Sequence, residues 1–66
     1  MIIRINGKSE SMDKPVTLKE LISAKGLVPG HIVIEHNSRI TSKEEWDNIV
    51  LKEDDLVEIV SFVGGG

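Results

Sequence analysis

Cysteine is absent from this sequence of 66 residues, which excludes disulfide bonds, zinc–thiolate sites and a cysteine nucleophile. Tyrosine is absent too, and there is one Phe and one Trp, so the core must be built mainly from Ile, Val and Leu. No long apolar run occurs, and the segment Met1–Ile5 contains an early Arg, so it predicts neither a signal peptide nor a membrane span. We therefore expect a cytoplasmic protein without membrane association.

The short length limits what the chain can enclose. A chain of this size buries only about 60% of its unfolded surface, which leaves little room for a pocket with several convergent polar groups. The two histidines, His31 and His36, are five residues apart on a predicted strand and should point to opposite faces, so a shared metal is not expected. No nucleophile–base set is recognisable, which makes an autonomous enzyme the weakest functional class.

The charge balance is mildly acidic. Eight Lys and Arg residues stand against eleven Asp and Glu residues, for a formal net charge of −3. The basic residues are scattered and are not interleaved with aromatics, whereas nucleic-acid binding requires a clustered basic surface. We therefore expect no nucleic-acid partner, and an acidic protein is better suited to a basic protein surface.

The first half of the chain predicts a hairpin followed by a helix. A β-branched run at 2–5 is followed by Asn-Gly at 6–7, a strong hairpin signal, and a weaker strand should return from Lys8 to about Asp13. Thr17 and Glu20 have the spacing of a capping box, and Gly26 supplies a left-handed stop. These signals predict a helix over Leu18–Lys25.

The second half predicts strands separated by polar turns. Its elements, in chain order, are a strand at 31–36, a turn at 37–38, a brief strand at 39–41, a short helical turn from Ser42 through Trp46, an exposed turn at 52–55 and a strand from Leu56 to Val63 that leads into Gly64, Gly65 and Gly66.

One helix packed on a mixed sheet gives an α+β fold of two layers. On the last strand Val57 and Ile59 should face the helix, whereas Val60 and Phe62 should lie on the opposite, more exposed face as a candidate docking patch. The expected core consists of Leu18, Leu21, Ile22, Ile32, Ile34, Val57 and Ile59.

The element order and the glycine ending resemble the ubiquitin-like (β-grasp) sulfur carriers, and most of all the ThiS family of thiamin biosynthesis. The specific marks are Asn37 followed nine residues later by Trp46, the segment 55–60 and the ending 62–66. One departure is Thr-Ser-Lys at 41–43, where many members carry Pro-Arg before the Trp. Because the likeness covers essentially the whole chain, we predict one domain over 1–66 with a flexible tail at 63–66.

The resemblance implies a sulfur carrier that is not itself an enzyme. A ThiF-type adenylating enzyme would use ATP to activate the carboxylate of Gly66, and a cysteine desulfurase or another donor would supply the sulfur. The resulting thiocarboxylate would serve a ThiG-type thiazole synthase. Gly64 and Gly65 would thread the partner active sites while Val60, Phe62 and Val63 dock. The carrier itself would bind no cofactor or metal and would be a monomer when free.

Three other functions remain open at this point. The small subunit of molybdopterin synthase shares the fold and the Gly-Gly chemistry, although such carriers typically have prolines before the tail. A protein modifier would use the same adenylate but end in an isopeptide bond. A plain binding module would not need the tail, and the glycines would then be an ordinary frayed terminus.

Overall fold

The computed structural model describes residues 1–62, and residues 63–66 lie outside that description. Five strands form one sheet, and the elements along the chain are β1 (Ile2–Ile5), β2 (Lys8–Ser11), α1 (Leu18–Ala24), a 3-10 turn at Pro29–His31, β3 (Ile32–His36), β4 (Arg39–Ile40), a 3-10 helix at Lys43–Asn48 and β5 (Leu56–Ser61).

The strand order across the sheet is β2-β1-β5-β3-β4. The first and last strands are therefore neighbours, and they run parallel, with Arg4 beside Leu56. Strand β5 also pairs antiparallel with the whole of β3, from Ile32 opposite Ser61 to His36 opposite Val57. This central position of the last strand confirms the predicted β-grasp arrangement.

The tight turns follow from residues that tolerate positive φ. Asn6 and Gly7 have φ values of 51° and 82°, as a two-residue hairpin requires, and Asn37 and Ser38 have φ values of 50° and 72°. The second strand ends at Ser11, short of the predicted end near Asp13, because its partner β1 begins at Ile2 opposite Ser11.

Helix α1 begins with the predicted capping box. Thr17 Oγ1 accepts from the amide of Glu20 at 3.1 Å, and the Glu20 carboxylate accepts from the amide of Thr17 at 2.8 Å. The helix ends at Ala24, one residue before the prediction, because Lys25 is its C-cap and Gly26 follows with φ of 69°. Of the residues that the structure describes, none lies in a helix long and apolar enough to cross a membrane.

The core lies between α1 and the sheet. Six of the seven expected core residues are buried, whereas Ile59 is half-buried and packs against the core from its edge. Trp46, in the 3-10 helix, is buried, and its Nε1 donates to Thr41 Oγ1 at 2.8 Å, which satisfies the indole in the interior. The buried hydrophobic residues that the expected list lacked are Ile3, Ile5, Trp46 and Leu51.

Candidate functional site: the root of the C-terminal tail

Strand β5 carries the chain to one end of the sheet, where the described residues stop. The strand ends at Ser61 and not at Val63 as predicted, although the Phe62 amide still donates to the carbonyl of His31 at 2.9 Å. This bond ties the last described residue to the start of β3. The predicted tail residues Val63, Gly64, Gly65 and Gly66 lie outside the described residues.

The opposite edge of β5 is held by a side chain. Strand β1 stops at Ile5, but the carboxamide of Asn6 continues its pairing: the Ile59 amide donates to Asn6 Oδ1 at 2.7 Å, and Asn6 Nδ2 donates to the Ile59 carbonyl at 3.1 Å. Asn6 thus imitates one more strand residue. Together with the bond to His31, it fixes both edges of β5 shortly before the tail.

We expect Asn6→Gly to keep the turn, because glycine tolerates the positive φ, and to remove both side-chain bonds to Ile59. The loss should be about 1–2 kcal/mol of unfolding free energy in chemical denaturation, with faster hydrogen exchange at the Ile59 amide. Ser38→Gly, at another position of positive φ, is the matched control and should cost little. Equal stability and equal exchange in the two variants would show that the Asn6 carboxamide does not hold β5.

The exposure predicted for the docking patch is confirmed. Val60 is 61% exposed and Phe62 is 46% exposed, whereas Val57 on the helix-facing side is 1% exposed. Val60 lies directly opposite Val33 of the neighbouring strand, so the two valines form one apolar pair on the sheet surface. The patch therefore extends to Phe62, the last residue before the tail, and its role in docking stays a prediction.

A buried carboxylate anchors the start of β5. The predicted exposed turn at 52–55 is wrong at its last residue, since Asp55 is only 8% exposed. Its Oδ2 accepts from the Lys52 amide at 2.9 Å and lies 2.9 Å from His36 Nε2, while its Oδ1 accepts from Asn37 Nδ2 at 3.1 Å. An ionised carboxylate can only accept, so His36 carries a proton on the Nε2 that faces it.

Electrostatics keep Asp55 ionised. Burial by itself raises the pKa of Asp55, but its hydrogen bonds with His36 and Asn37 and with a backbone amide outweigh burial, and the pKa lies below its ordinary value. Asn37 also bonds through its Oδ1 and its amide to the backbone of Leu56, both at 2.8 Å. The cluster thus positions β5, the strand that carries the tail.

Sequence reasoning missed this cluster because its partners are 18 and 19 residues apart. The sequence offered one signal: Asp55 lies three residues after Lys52 and immediately before a predicted strand. At this spacing an Asp side chain can close a turn by accepting from a backbone amide. Of the two histidines, His31 is exposed and His36 is half-buried against Asp55. Among the described residues, no group of three or more His, Asp or Glu side chains could hold a metal ion.

Comparison with known proteins agrees on one family. The family model for the ThiS family matches residues 3–66. The sulfur carrier protein ThiS of Bacillus subtilis is 33% identical over 66 residues, covering 98% of this chain and all of that protein. The crystal structure of the thiamine biosynthesis protein ThiS from Geobacter metallireducens superposes with a TM-score of 0.85 at 30% identity, covering 100% of both chains.

Longer relatives carry the same segment. A thiazole synthase of Magnetococcus marinus is 35% identical over 66 residues, and the chain spans 20% of the length of that protein. A second thiazole synthase, from Paramagnetospirillum magneticum, is 29% identical, again over 20% of its length. The family match, the full-length likeness to the Bacillus protein and the shared β-grasp fold together show that this chain belongs to the ThiS family.

Proposed function

We propose that this chain is a sulfur carrier protein for synthesis of the thiazole moiety of thiamin, with the carboxylate of Gly66 as its reactive group. One observation carries the proposal: the ThiS family match covers residues 3–66 and so includes Gly66. The architecture supports it, because the central strand β5 is fixed at its start by Asp55 and near its end by Asn6, and leads directly toward the glycines.

The chemistry begins with a poor electrophile. A terminal carboxylate has a pKa of about 3.5, so at neutral pH it is ionised and does not react with nucleophiles. A ThiF-type adenylating enzyme joins a carboxylate oxygen of Gly66 to the α-phosphate of ATP, and pyrophosphate leaves. The carrier binds no cofactor in this scheme, and ATP is a substrate of the partner.

Sulfur then replaces oxygen. The terminal sulfur of a persulfide, supplied by a cysteine desulfurase or another donor, attacks the acyl carbon of Gly66 and releases AMP. A thiol then attacks the other sulfur of the resulting acyl disulfide, so that the donor's remaining sulfur and the attacking thiol form a disulfide and the thiocarboxylate is set free. Because this chain has no cysteine, the cleaving thiol must come from the donor, from the adenylating enzyme or from a small-molecule thiol.

Glycine suits the tail. Without a Cβ, Gly64 and Gly65 can take backbone angles closed to other residues and pass through a narrow channel. An extended residue adds about 3.3–3.6 Å, so residues 63–66 could reach roughly 13–14 Å beyond Phe62. That reach would bring Gly66 into a partner's active site while the folded domain stays outside it. The carrier itself would be a monomer when free.

A ThiG-type thiazole synthase is the proposed acceptor. The Magnetococcus protein named thiazole synthase contains a segment similar to this whole chain. Joining the two activities in one polypeptide is expected when a carrier domain works directly on a synthase. We also propose that the carrier works in the cytoplasm, where ATP is available to the adenylating enzyme.

The test is a reconstitution followed by intact mass. Incubated with the adenylating enzyme, ATP and a persulfide donor, the protein should gain the mass that corresponds to exchanging one oxygen for sulfur, and fragmentation should place the sulfur on Gly66. Omitting ATP is the control and should leave the mass unchanged. An unchanged mass with all components present, or a Gly66 joined to lysines of other proteins, would contradict the sulfur-carrier function.

A further inference from the structure

On the sheet face that points away from α1, two glutamates lie next to exposed apolar side chains. We call this set of residues the outer face, and it consists of Val33, Glu35, Ile40, Glu58 and Val60. All five residues are exposed. In the row that crosses β4, β3 and β5, Ile40 lies opposite Glu35, and Glu35 lies opposite Glu58. The next row toward the tail is the valine pair, so two carboxylates are bordered by apolar side chains.

The carboxylates of Glu35 and Glu58 belong to residues that lie directly opposite each other on neighbouring strands. Residues directly opposite on antiparallel strands have Cβ atoms about 4.5–5.5 Å apart, and like charges at this separation destabilise the sheet. Neither Glu35 nor Glu58 takes part in the ion pairs formed among residues 1–62. Arg4 lines the same shallow groove of about 250 Å³ but is paired with neither carboxylate. The sheet therefore places two like charges opposite each other, and a bound cation would interact favourably with both.

We propose that the outer face is the docking surface for thiazole synthase, with an arginine or lysine of the synthase seated between Glu35 and Glu58 and apolar side chains covering the valine pair. This inference rests on the proposed function. A guanidinium fits best, because its fork of donors can serve two carboxylates at once. The net charge of −3 favours the same basic partner.

Two observations favour the synthase as the occupant. Relatives named thiazole synthase hold a segment like this chain within the same polypeptide, which keeps that segment close to the rest of the protein. The outer face also lies close to the last described residue: at about 3.3 Å per residue, Val60 is roughly 7 Å from Phe62 along the chain. A partner covering the carboxylates would thus receive the tail directly.

The experiment measures stability and binding in the same variant, Glu35→Gln with Glu58→Gln. Removing the repulsion should raise the thermal midpoint by about 2–4 °C. Removing the charges should raise the Kd for thiazole synthase of the same organism about tenfold at low salt. Near 0.5 M salt, where exposed charges are screened, the increase in Kd should be only about twofold. If the two glutamates affected only the stability of the sheet, the variant would gain or lose stability and affinity together.

The matched control is Asp13→Asn with Asp54→Asn, which changes the net charge equally at exposed positions outside the outer face, and asparagine tolerates the positive φ of 69° at position 54. Its Kd should stay within about twofold of wild type, because general charge steering is weak compared with a direct ion pair. An unchanged Kd in the outer-face variant would overturn the inference, as would a loss of binding confined to the adenylating enzyme. Thiocarboxylate formation on the wild-type protein is measured separately, and its failure would instead contradict the proposed function.

Discussion

Deletion of Gly66 is expected to lower the rate of adenylate formation by at least about 100-fold and to leave the free energy of unfolding unchanged. The shortened chain still ends in a carboxylate, but that group lies one residue, roughly 3.5 Å, short of the partner's ATP site. Misplacement by even about 1 Å can cost on the order of 100-fold, because the reacting atoms must meet in line. Release of pyrophosphate by the adenylating enzyme measures the rate.

Gly65→Val should fail for a different reason, since its branched Cβ restricts the backbone and collides with a narrow channel. Gly30→Ala is the matched control. Gly30 has no positive φ, and an added Cβ there would meet nothing within 4 Å, so this variant should retain both stability and adenylation. Equal rates for wild type and the Gly66 deletion would show that the tail is not the reactive element.

Asp55→Asn should cause the largest loss of stability among isosteric changes, about 2–3 kcal/mol of unfolding free energy. The new NH2 group would replace one of the two accepting oxygens of Asp55. It would then face either the Lys52 amide or Asn37 Nδ2, and that donor would be left without an acceptor in the interior. For 66 residues the whole stability is roughly 3–10 kcal/mol, so the variant should unfold at a clearly lower urea concentration.

The same carboxylate predicts how stability depends on pH. Because its folded pKa lies below the ordinary value of 3.8, its contribution is fully present above that value and is lost as pH falls through the folded pKa. Wild type should therefore lose more stability than Asp55→Asn between about pH 5 and pH 3. Asp47→Asn is the control, since Asp47 forms an exposed pair with Lys19 at 3.5 Å, and it should cost less than about 1 kcal/mol. Parallel acid profiles for wild type and Asp55→Asn would contradict this role.

Much of the fold could be predicted because its signals are local. The capping box of Thr17 and Glu20 lies within four residues, and the Asn6-Gly7 turn needs only two residues that tolerate positive φ. The alternation of Val57 and Val60 between buried and exposed faces follows from the period of a strand. Such features are determined by neighbours in the sequence, and the structure confirms them.

Contacts between distant residues could not be predicted in the same way. The Asn6 carboxamide bonds to a residue 53 positions later, and a hairpin signal explains the turn without indicating that bond. Asp55 occurs in a run of charged residues that reads as an exposed turn, until β3 brings His36 and Asn37 against it. The burial of Leu51 likewise depends on a distant contact, the antiparallel bridge between Val50 and Thr17, which composition alone does not indicate.

Intact mass tests the central claim most directly when it is measured on the protein isolated from cells that must make their own thiamin. We expect a fraction of the molecules to carry sulfur in place of one oxygen, with fragmentation placing it on Gly66, and we expect that fraction to vanish when the adenylating enzyme is deleted. A protein that is wholly unmodified in such cells, or whose sulfur lies on any other residue, would contradict the account.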